Sequence, residues 1–245
     1  LWLVWLRLGL VLADTLQALR AGTLTRLVVA TAVLLPLALL LASGSADDLS
    51  IMKEYANRRE EYWGAMVRHC QIVALAMLFT LVIGLPLGWA SHRFGRTGKA
   101  MFPLLNIIQT IPSIALFGLL MAPLAWLAAS WPALGRVGIS GVGLAPGVLA
   151  LMLYSLLPVV RGTLAGLAQV PSAVTQAALG LGFSPAQLFW QAQVPLALPV
   201  VLSGVRTASI QAVGLAAVTA LIGAGGLGSL MFEGLFSSAQ DLVLL

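Results

Sequence analysis

The chain has 245 residues, of which 60% are hydrophobic and only 9% are charged. Soluble domains carry about 25% charged residues, so this composition excludes an ordinary soluble domain and indicates an all-α, polytopic membrane protein. The net charge of +5 comes from thirteen Lys and Arg against eight Asp and Glu, without a run dense enough to bind nucleic acid, and the single cysteine excludes an internal disulfide.

Apolar runs divide the chain into candidate membrane spans, since a bilayer core needs about 20 mostly apolar residues per helix. Six runs are candidates, at 1–19, 24–42, 67–91, 101–121, 146–160 and 196–221, and the fifth is short, so it is expected to be tilted or extended at its ends. The mixed charges of 43–63 predict a helix exposed outside the bilayer. The segment 122–146, with Trp126, Trp131 and several Gly, predicts a turn at the membrane interface.

Basic residues near the ends of these spans bias the orientation only weakly. Six fall on one side, Arg20, Arg26, Arg93, Arg96, Lys99 and Arg161, and four on the other, Lys53, Arg58, Arg59 and Arg136. The side richer in Lys and Arg is usually cytoplasmic. Because the chain begins with Leu1 instead of Met and ends within an apolar run, we expect it to be shorter than the gene product.

One long segment, 170–199, is neither a membrane span nor a plain loop. Pro171 can begin a short helix, and Gly182 can end it in a left-handed conformation. The apolar face of this helix is predicted to consist of Ala173, Ala177, Ala178 and Leu181. Residues 184–187 resemble a capping box that begins a second helix, and Pro195 predicts the next bend. The segment is therefore predicted to be a helix, turn, helix motif, which we call the hook and define as residues 172–194.

The spacing within the hook resembles the cytoplasmic EAA loop of binding-protein-dependent ABC importer permeases. That pattern is E-A-A, three residues, G, nine residues, I, one residue, L-P, and Gln176-Ala177-Ala178, Gly182, Ala192 and Val194-Pro195 stand at the same intervals. Gln176 replaces the Glu, so an ion pair from that position is not expected. The resemblance implies a type I ABC importer permease fold. It also implies coupling to an ATPase through Gln176, Ala177, Ala178, Gly182, Phe183, Ser184, Pro185, Gln187 and Pro195.

Three further stretches, 106–113, 198–208 and 220–228, look like permeases of the osmoprotectant type, which import glycine betaine, carnitine or choline. The resemblance covers the permease core, 63–245, and leaves 1–62 as an N-terminal extension with about two membrane helices. It implies a multi-pass protein of the bacterial inner membrane. The implied partners are a second permease, two cytoplasmic ATPases and an external solute-binding protein. ATP and Mg would be bound by the ATPases, and no cofactor by this chain.

A polar stripe in the fourth predicted span is the candidate translocation path. Asn106, Gln109, Thr110 and Ser113 stand at i, i+3, i+4 and i+7, so on one helix they would form an uncharged polar face. They could line the path, with Pro112 freeing a backbone carbonyl, or they could join helices by hydrogen bonds. Arg206 is the one full charge expected within the later spans. We expect it near the cytoplasmic end of the last span, in a structural role.

Other functions are disfavoured by the residues. The run 223–228 fits G-x-G-x-x-G without a preceding strand and predicts a flexible break after a span, while 93–100 lacks the first Gly and the Ser or Thr of a P-loop. No catalytic or metal-binding set has a workable spacing, so an enzyme is not expected. An ABC permease for another small solute, such as methionine, and an ion-coupled secondary transporter are the alternatives. ATP-dependence of uptake distinguishes the last of these.

Overall fold

The computed structural model of the protein describes most of the chain after residue 49. The described residues are 22, 24–25, 28–32, 35, 50–136 and 138–244. The first predicted span, 1–19, and most of the second, 24–42, lie outside them. The chain divides into two compact units, residues 1–58 and residues 59–245.

In the first unit, the described residues Ser50–Asn57 form a helix of eight residues, α1, within the stretch predicted to be an exposed helix. None of its residues is buried. Arg58 Nε lies 2.7 Å from Glu54 Oε1 at the C-terminal end of this helix, an i, i+4 ion pair of the kind that stabilises a solvated helix by a few tenths of a kcal/mol, about 0.3–0.5.

The second unit is helical throughout its described secondary structure. In chain order the helices are α2 (Arg59–Arg93), α3 (Gly95–Thr110), α4 (Ser113–Ser130), α5 (Pro132–Arg136), α6 (Leu144–Ala168), α7 (Ser172–Gly180), α8 (Pro185–Gln187), α9 (Val194–Val218), α10 (Leu227–Phe236) and α11 (Gln240–Leu244). A π-helical stretch, Leu188–Gln193, joins α8 to α9, and a 3₁₀ turn, Thr219–Ile222, follows α9. Among the described residues, four helical runs are long and apolar enough to cross a membrane: α2, α4, α6 and the run from Pro185 to Ile222.

Helix α6 is at the centre of this unit and is buried along most of its length. It packs mainly against α2 and α9. The side chains around it include Ile72 from α2, Leu151 from α6 and Ala212 from α9, all fully buried. A second cluster of buried side chains contains Leu105 of α3 and Leu157 of α6. The core therefore surrounds α6, and the other helices present their exposed apolar side chains outward.

Small residues allow these helices to approach closely, as is common between membrane helices. A methyl group on Gly88 of α2 would lie 2.5 Å from Thr163 Cβ of α6, and one on Gly162 of α6 would lie 2.9 Å from Gly204 Cα of α9. Contacts of Gly166 with Ala197 at one end and of Gly147 with Thr219 at the other show that α6 and α9 run antiparallel.

The prediction of one span over 101–121 is wrong, because the chain leaves the helix at Ile111. That residue has φ −71° and ψ 128°, the extended conformation that a following proline imposes, and Pro112 has no N–H to continue the hydrogen-bond ladder. The Ile111 carbonyl instead accepts a hydrogen bond from the Tyr154 hydroxyl of α6. Two helices, α3 and α4, thus replace the predicted single span.

The predictions for the segments that follow the break at Ile111 also differ from the structure. Helix α4 continues to Ser130, so the first part of the predicted interfacial turn, 122–146, is helical. The span predicted at 146–160 is α6, which extends to Ala168. Arg161, predicted to lie just beyond the end of the span, is therefore within the helix. The spans predicted at 67–91 and 196–221 are confirmed as parts of α2 and of the run from Pro185 to Ile222.

Candidate coupling hook and polar groups of the membrane helices

The turn of the hook has the geometry expected from its glycine. Gly182 has φ +83°, the left-handed conformation predicted for it. The Phe183 N–H donates to the Ala178 carbonyl at 3.0 Å, and the Gly182 N–H donates to the Leu179 carbonyl at 2.9 Å. These two bonds form a Schellman motif, which satisfies the last carbonyls of α7 and ends the helix sharply.

The second helix of the hook begins with the predicted capping box. The Gln187 N–H donates to Ser184 Oγ at 3.3 Å, and the Ser184 N–H donates to Gln187 Oε1 at 2.9 Å. Pro185 occupies the first helical turn, where its missing N–H has no consequence. Local hydrogen bonds therefore close each side of the turn. Ser184, Pro185 and Gln187 determine where the second helix begins.

The helix does not end at Pro195, where the sequence predicts the next bend, but passes through this residue. The chain is helical without a break from Pro185 to Ile222. The π-helical stretch Leu188–Gln193 immediately precedes Pro195 and has wider hydrogen-bonded turns than an α-helix. Because the ladder is already altered there, the missing N–H of Pro195 does not end the helix. The second arm of the hook and the membrane span that follows it are one continuous helical run.

The surface of the hook is more apolar and more exposed than predicted. Of the predicted apolar face, only Ala178 is buried, whereas Ala173, Ala177 and Leu181 are exposed. Leu181 and Trp190 are 80% and 67% exposed. The inner side of the hook is held by Phe189, whose ring lies 6.2 Å from that of Trp89 at the end of α2. Sequence reasoning missed Trp89 as an anchor, because nothing local to it indicates the contact.

The polar stripe of the fourth predicted span does not exist as one helical face. Ser113 begins α4, whereas Asn106, Gln109 and Thr110 lie on α3. Gln109 Nε2 donates to the Tyr154 carbonyl of α6 at 2.8 Å, and Thr110 Oγ1 donates to the Ile107 carbonyl of its own helix at 2.7 Å. Asn106 Oδ1 accepts from Arg161 Nη2 of α6 at 2.6 Å. Asn106 and Gln109 thus join α3 to α6, the role that the helix-packing alternative gives them.

The arginines of the spans are also placed differently from the prediction. Arg206 lies near the middle of α9 and is exposed, so its expected position at the cytoplasmic end of the span is wrong. It is not the one charge of the later spans, because Arg161 lies within α6 and Arg68 within α2. Arg68 Nε donates to the Ala224 carbonyl at 2.9 Å.

A glycine-rich turn, residues 223–228, lies at the end of α6 opposite the hook. It packs against the helix ends there. Gly223, Gly225 and Gly226 all have positive φ, as the predicted break after a span requires. The Gly143 N–H donates to the Ile222 carbonyl at 2.7 Å, and Gly226 lies against buried His69 of α2. Within the described residues no group of three or more His, Cys, Asp or Glu could hold a metal ion.

Two features define the class of protein: a set of apolar helices around α6, and a capped hook at one end of α6 and α9. The fold is that of the membrane subunits of type I ABC importers. A solved structure titled as an inward-facing conformation of the MetNI methionine ABC transporter matches with a TM-score of 0.60 over 75% of this chain and 87% of that chain, at 21% identity. This likeness shows the fold.

The chain belongs to the family described as the binding-protein-dependent transport system inner membrane component, which matches residues 80–244. Residues 1–52 match the N-terminal domain of ABC transporter permease YehY. The chain is 38% identical to the osmoprotectant import permease protein OsmW of Salmonella typhimurium, over 73% of this chain and 77% of that protein. It is 32% identical to the choline transport system permease protein OpuBD of Bacillus subtilis, over 75% and 74%. It is thus a multi-pass protein of the bacterial inner membrane and a transport component.

Proposed function

We propose that this chain is the membrane permease subunit of an ABC importer for a compatible solute such as glycine betaine, carnitine or choline. The single observation that carries the proposal is the hook, whose turn is closed by its own hydrogen bonds while its apolar side chains, led by Leu181, stay exposed. Exposed apolar surface of this kind marks an interaction site. The solute class rests on the similarity to OsmW and OpuBD, whose names specify osmoprotectant import and choline transport.

The proposed assembly contains two permease chains, two cytoplasmic ATPases that bind ATP and Mg, and a solute-binding protein outside the membrane. The hook lies at the end of α6 and α9 that would face the ATPases. Because α9 begins within the hook and continues as a membrane span, a displacement of the hook moves the span with it. Closure of the ATPases on ATP would therefore tilt α9 against α6 and open the path to each side in turn.

The translocation path is proposed to pass the α3 face that carries Asn106 and Thr110, both of which are exposed. Gln109 and Ser113, half-buried, would contribute at its margin. Pro112 breaks the helix beside these residues, so polar backbone at this level lies close to the same face. Irregular backbone within a membrane is tolerated where it lines a cavity or is buried in protein.

The test is ATP-driven uptake of radiolabelled glycine betaine and choline by the complete importer in proteoliposomes. Wild type should accumulate at least one of them only when ATP is enclosed with the ATPases. Leu181→Ser should lower uptake and ATPase stimulation about tenfold while the protein remains folded, because the side chain is exposed and its loss removes only a partner contact. Leu119→Ser makes the same change at an exposed apolar residue of α4 away from the hook, and this control should keep uptake and ATPase stimulation near those of wild type.

Uptake that continues without ATP and follows an ion gradient would refute the proposal and favour a secondary transporter. Uptake of methionine instead of the quaternary ammonium solutes would retain the ABC permease and change the solute class.

A further inference from the structure

The charged residues of α3, α6 and α9 are all basic. No Asp or Glu stands anywhere between Glu61 and Glu233, a stretch that includes α3, α4, α6 and α9. Arg161 and Arg206 nevertheless lie within α6 and α9, and both are exposed on the surface of the chain. A cation within a membrane span is costly unless it faces water or an anion. A second copy of this chain would bring no carboxylate from the same stretch, so these arginines face water or an anion that this stretch does not supply.

Arg161 is held in a defined orientation. Its Nη2 donates to Asn106 Oδ1 at 2.6 Å, and this bond joins α6 to α3. A guanidinium has five N–H donors, and an amide oxygen neutralises none of the charge. The structure shows no second hydrogen-bond partner for Arg161 among the described residues. The asparagine thus fixes the plane of the guanidinium and leaves most of its donors open.

The position of the pair fits a path through the membrane. Arg161 is followed by seven residues of α6, about 10 Å at 1.5 Å per residue, before the helix ends next to the hook. Its neighbour Gly162 contacts Gly204 of α9 through their backbones. The arginine therefore lies beside the crossing of the two helices, one of which continues from the hook. Tilting of α9 against α6 would change the surroundings of this site.

We propose that the Arg161–Asn106 pair is a binding site for the carboxylate of the solute during translocation. An oriented guanidinium offers two parallel N–H donors that match the two oxygens of a carboxylate, and such charge-assisted pairs are strong where water is excluded. A quaternary ammonium solute with a carboxylate, such as glycine betaine, is therefore favoured over choline, which carries a positive charge and no anion. This inference rests on the proposed function and specifies its solute class.

The first test compares uptake of glycine betaine with uptake of choline by the complete importer, using one unchanged binding protein throughout. Arg161→Gln should lower glycine betaine uptake about tenfold or more and leave choline uptake unchanged or raised. Arg161→Lys should recover part of the betaine uptake, because it restores the charge without the planar pair of donors. Asn106→Ala should produce a smaller change in the same direction. Assembly with the ATPases and basal ATP hydrolysis check that each variant is folded.

Three control variants separate this site from other effects of charge. Arg136→Gln removes an exposed cation from α5 and should leave the ratio of the two uptakes unchanged. Arg206→Gln removes a cation close to the same helix crossing but without an asparagine partner, and a change equal to that of Arg161→Gln would overturn the assignment to the Arg161–Asn106 pair. Asp14→Asn tests a carboxylate from the N-terminal part of the sequence, and the same loss there would identify Asp14 as the counter-ion and overturn the proposal.

The second test measures occupancy without transport. Arg161→Cys, with Cys70→Ser, is treated with a water-soluble methanethiosulfonate reagent in vesicles. Reaction that glycine betaine slows and choline does not slow is the expected result. Absence of reaction in every nucleotide state would show that the side chain faces lipid, where a headgroup phosphate would be its anion, and would overturn the proposal. If wild type transports neither solute, the proposed function fails; if it transports both and Arg161→Gln leaves their ratio unchanged, only this inference fails.

Discussion

The two glycine turns of the protein, at opposite ends of α6 and α9, have similar backbones and opposite surroundings. In the hook, Gly182 has φ +83° and a methyl group on it would meet nothing within 4 Å. In the turn 223–228, Gly226 has φ +89° and lies against His69, while a methyl group on Gly228 would come within 1.8 Å of the Ala217 carbonyl oxygen.

The difference between the turns shows which contacts the chain provides for itself. The turn 223–228 is packed against α2 and α9, and Arg68 Nε donates to its Ala224 carbonyl. Close approach requires a glycine at 228, and positive φ favours glycine at 223, 225 and 226. The turn of the hook is closed by its local hydrogen bonds, and Leu181 on its outer surface is exposed. One turn holds the helices together, and the other leaves exposed the surface that we propose for a partner.

The largest effect is expected from Gly228→Ala. The added methyl group would overlap the Ala217 carbonyl, so α10 must move away from α9, at a cost of about 1–3 kcal/mol or more. The yield of folded protein and its unfolding temperature in detergent should both fall. Gly214→Ala, a helical glycine of α9 with open space around it, is the control and should change neither. Equal behaviour of the two variants would show that the close contact at 228 does not support the fold.

An intermediate effect is expected from Gly182→Ala. The left-handed conformation costs a residue with a side chain about 1–2 kcal/mol, so the turn should relax and the second arm of the hook should point elsewhere. ATPase stimulation and uptake should fall, while the unfolding temperature stays near that of wild type. Gly180→Ala is a matched control two residues away, since it is equally open but lies within α7. Loss of uptake in both variants would contradict a role for the backbone conformation.

The smallest effect is expected from Ser184→Ala, which removes the side-chain acceptor of the capping box. Loss of such a cap costs about 1 kcal/mol, and here the cost is confined to the first turn of α8. Amide hydrogen exchange at 186–188 should become faster, with a modest decrease in uptake. Ser172→Ala is the comparison, because Ser172 is an exposed residue at the start of α7 where Pro171 is the cap. Unchanged exchange in Ser184→Ala would mean that the continuous helix beyond it holds the turn without the cap.

Local features of the sequence predicted the hook well, and contacts between distant residues account for what it did not predict. The conformation of Gly182 and the cap at Ser184 depend on residues within five positions, so their pattern is sufficient. The exposure of Leu181 and the contact of Phe189 with Trp89 depend on the fold, which no local pattern contains.

The membrane helices also combine features that the local sequence predicts with features that depend on contacts between distant residues. Hydropathy located α2, α6 and α9 but averaged across Ile111 and Pro112, although the restriction that proline places on the preceding residue would have predicted the break. The pairing of Asn106 with Arg161, 55 positions apart, could not be predicted from spacing. Its only sequence signal is the absence of Asp and Glu between Glu61 and Glu233, the stretch that contains both arginines.

The π-helical stretch Leu188–Gln193 has a consequence for the length of the chain in the hook. A π-turn closes its hydrogen bond over one residue more than an α-turn, so the stretch accommodates an additional residue between the capping box and the membrane span. Deletion of one residue there, for instance Ala192, could be absorbed by conversion of the stretch to α-helix, with the faces of α9 left in register. Deletion of one residue after Pro195, where the helix is already α-helical, would instead rotate everything that follows by about 100°. The helical run therefore tolerates a change in length within the π-helical stretch, on the side of the hook. From Pro195 onward, α9 must keep its register.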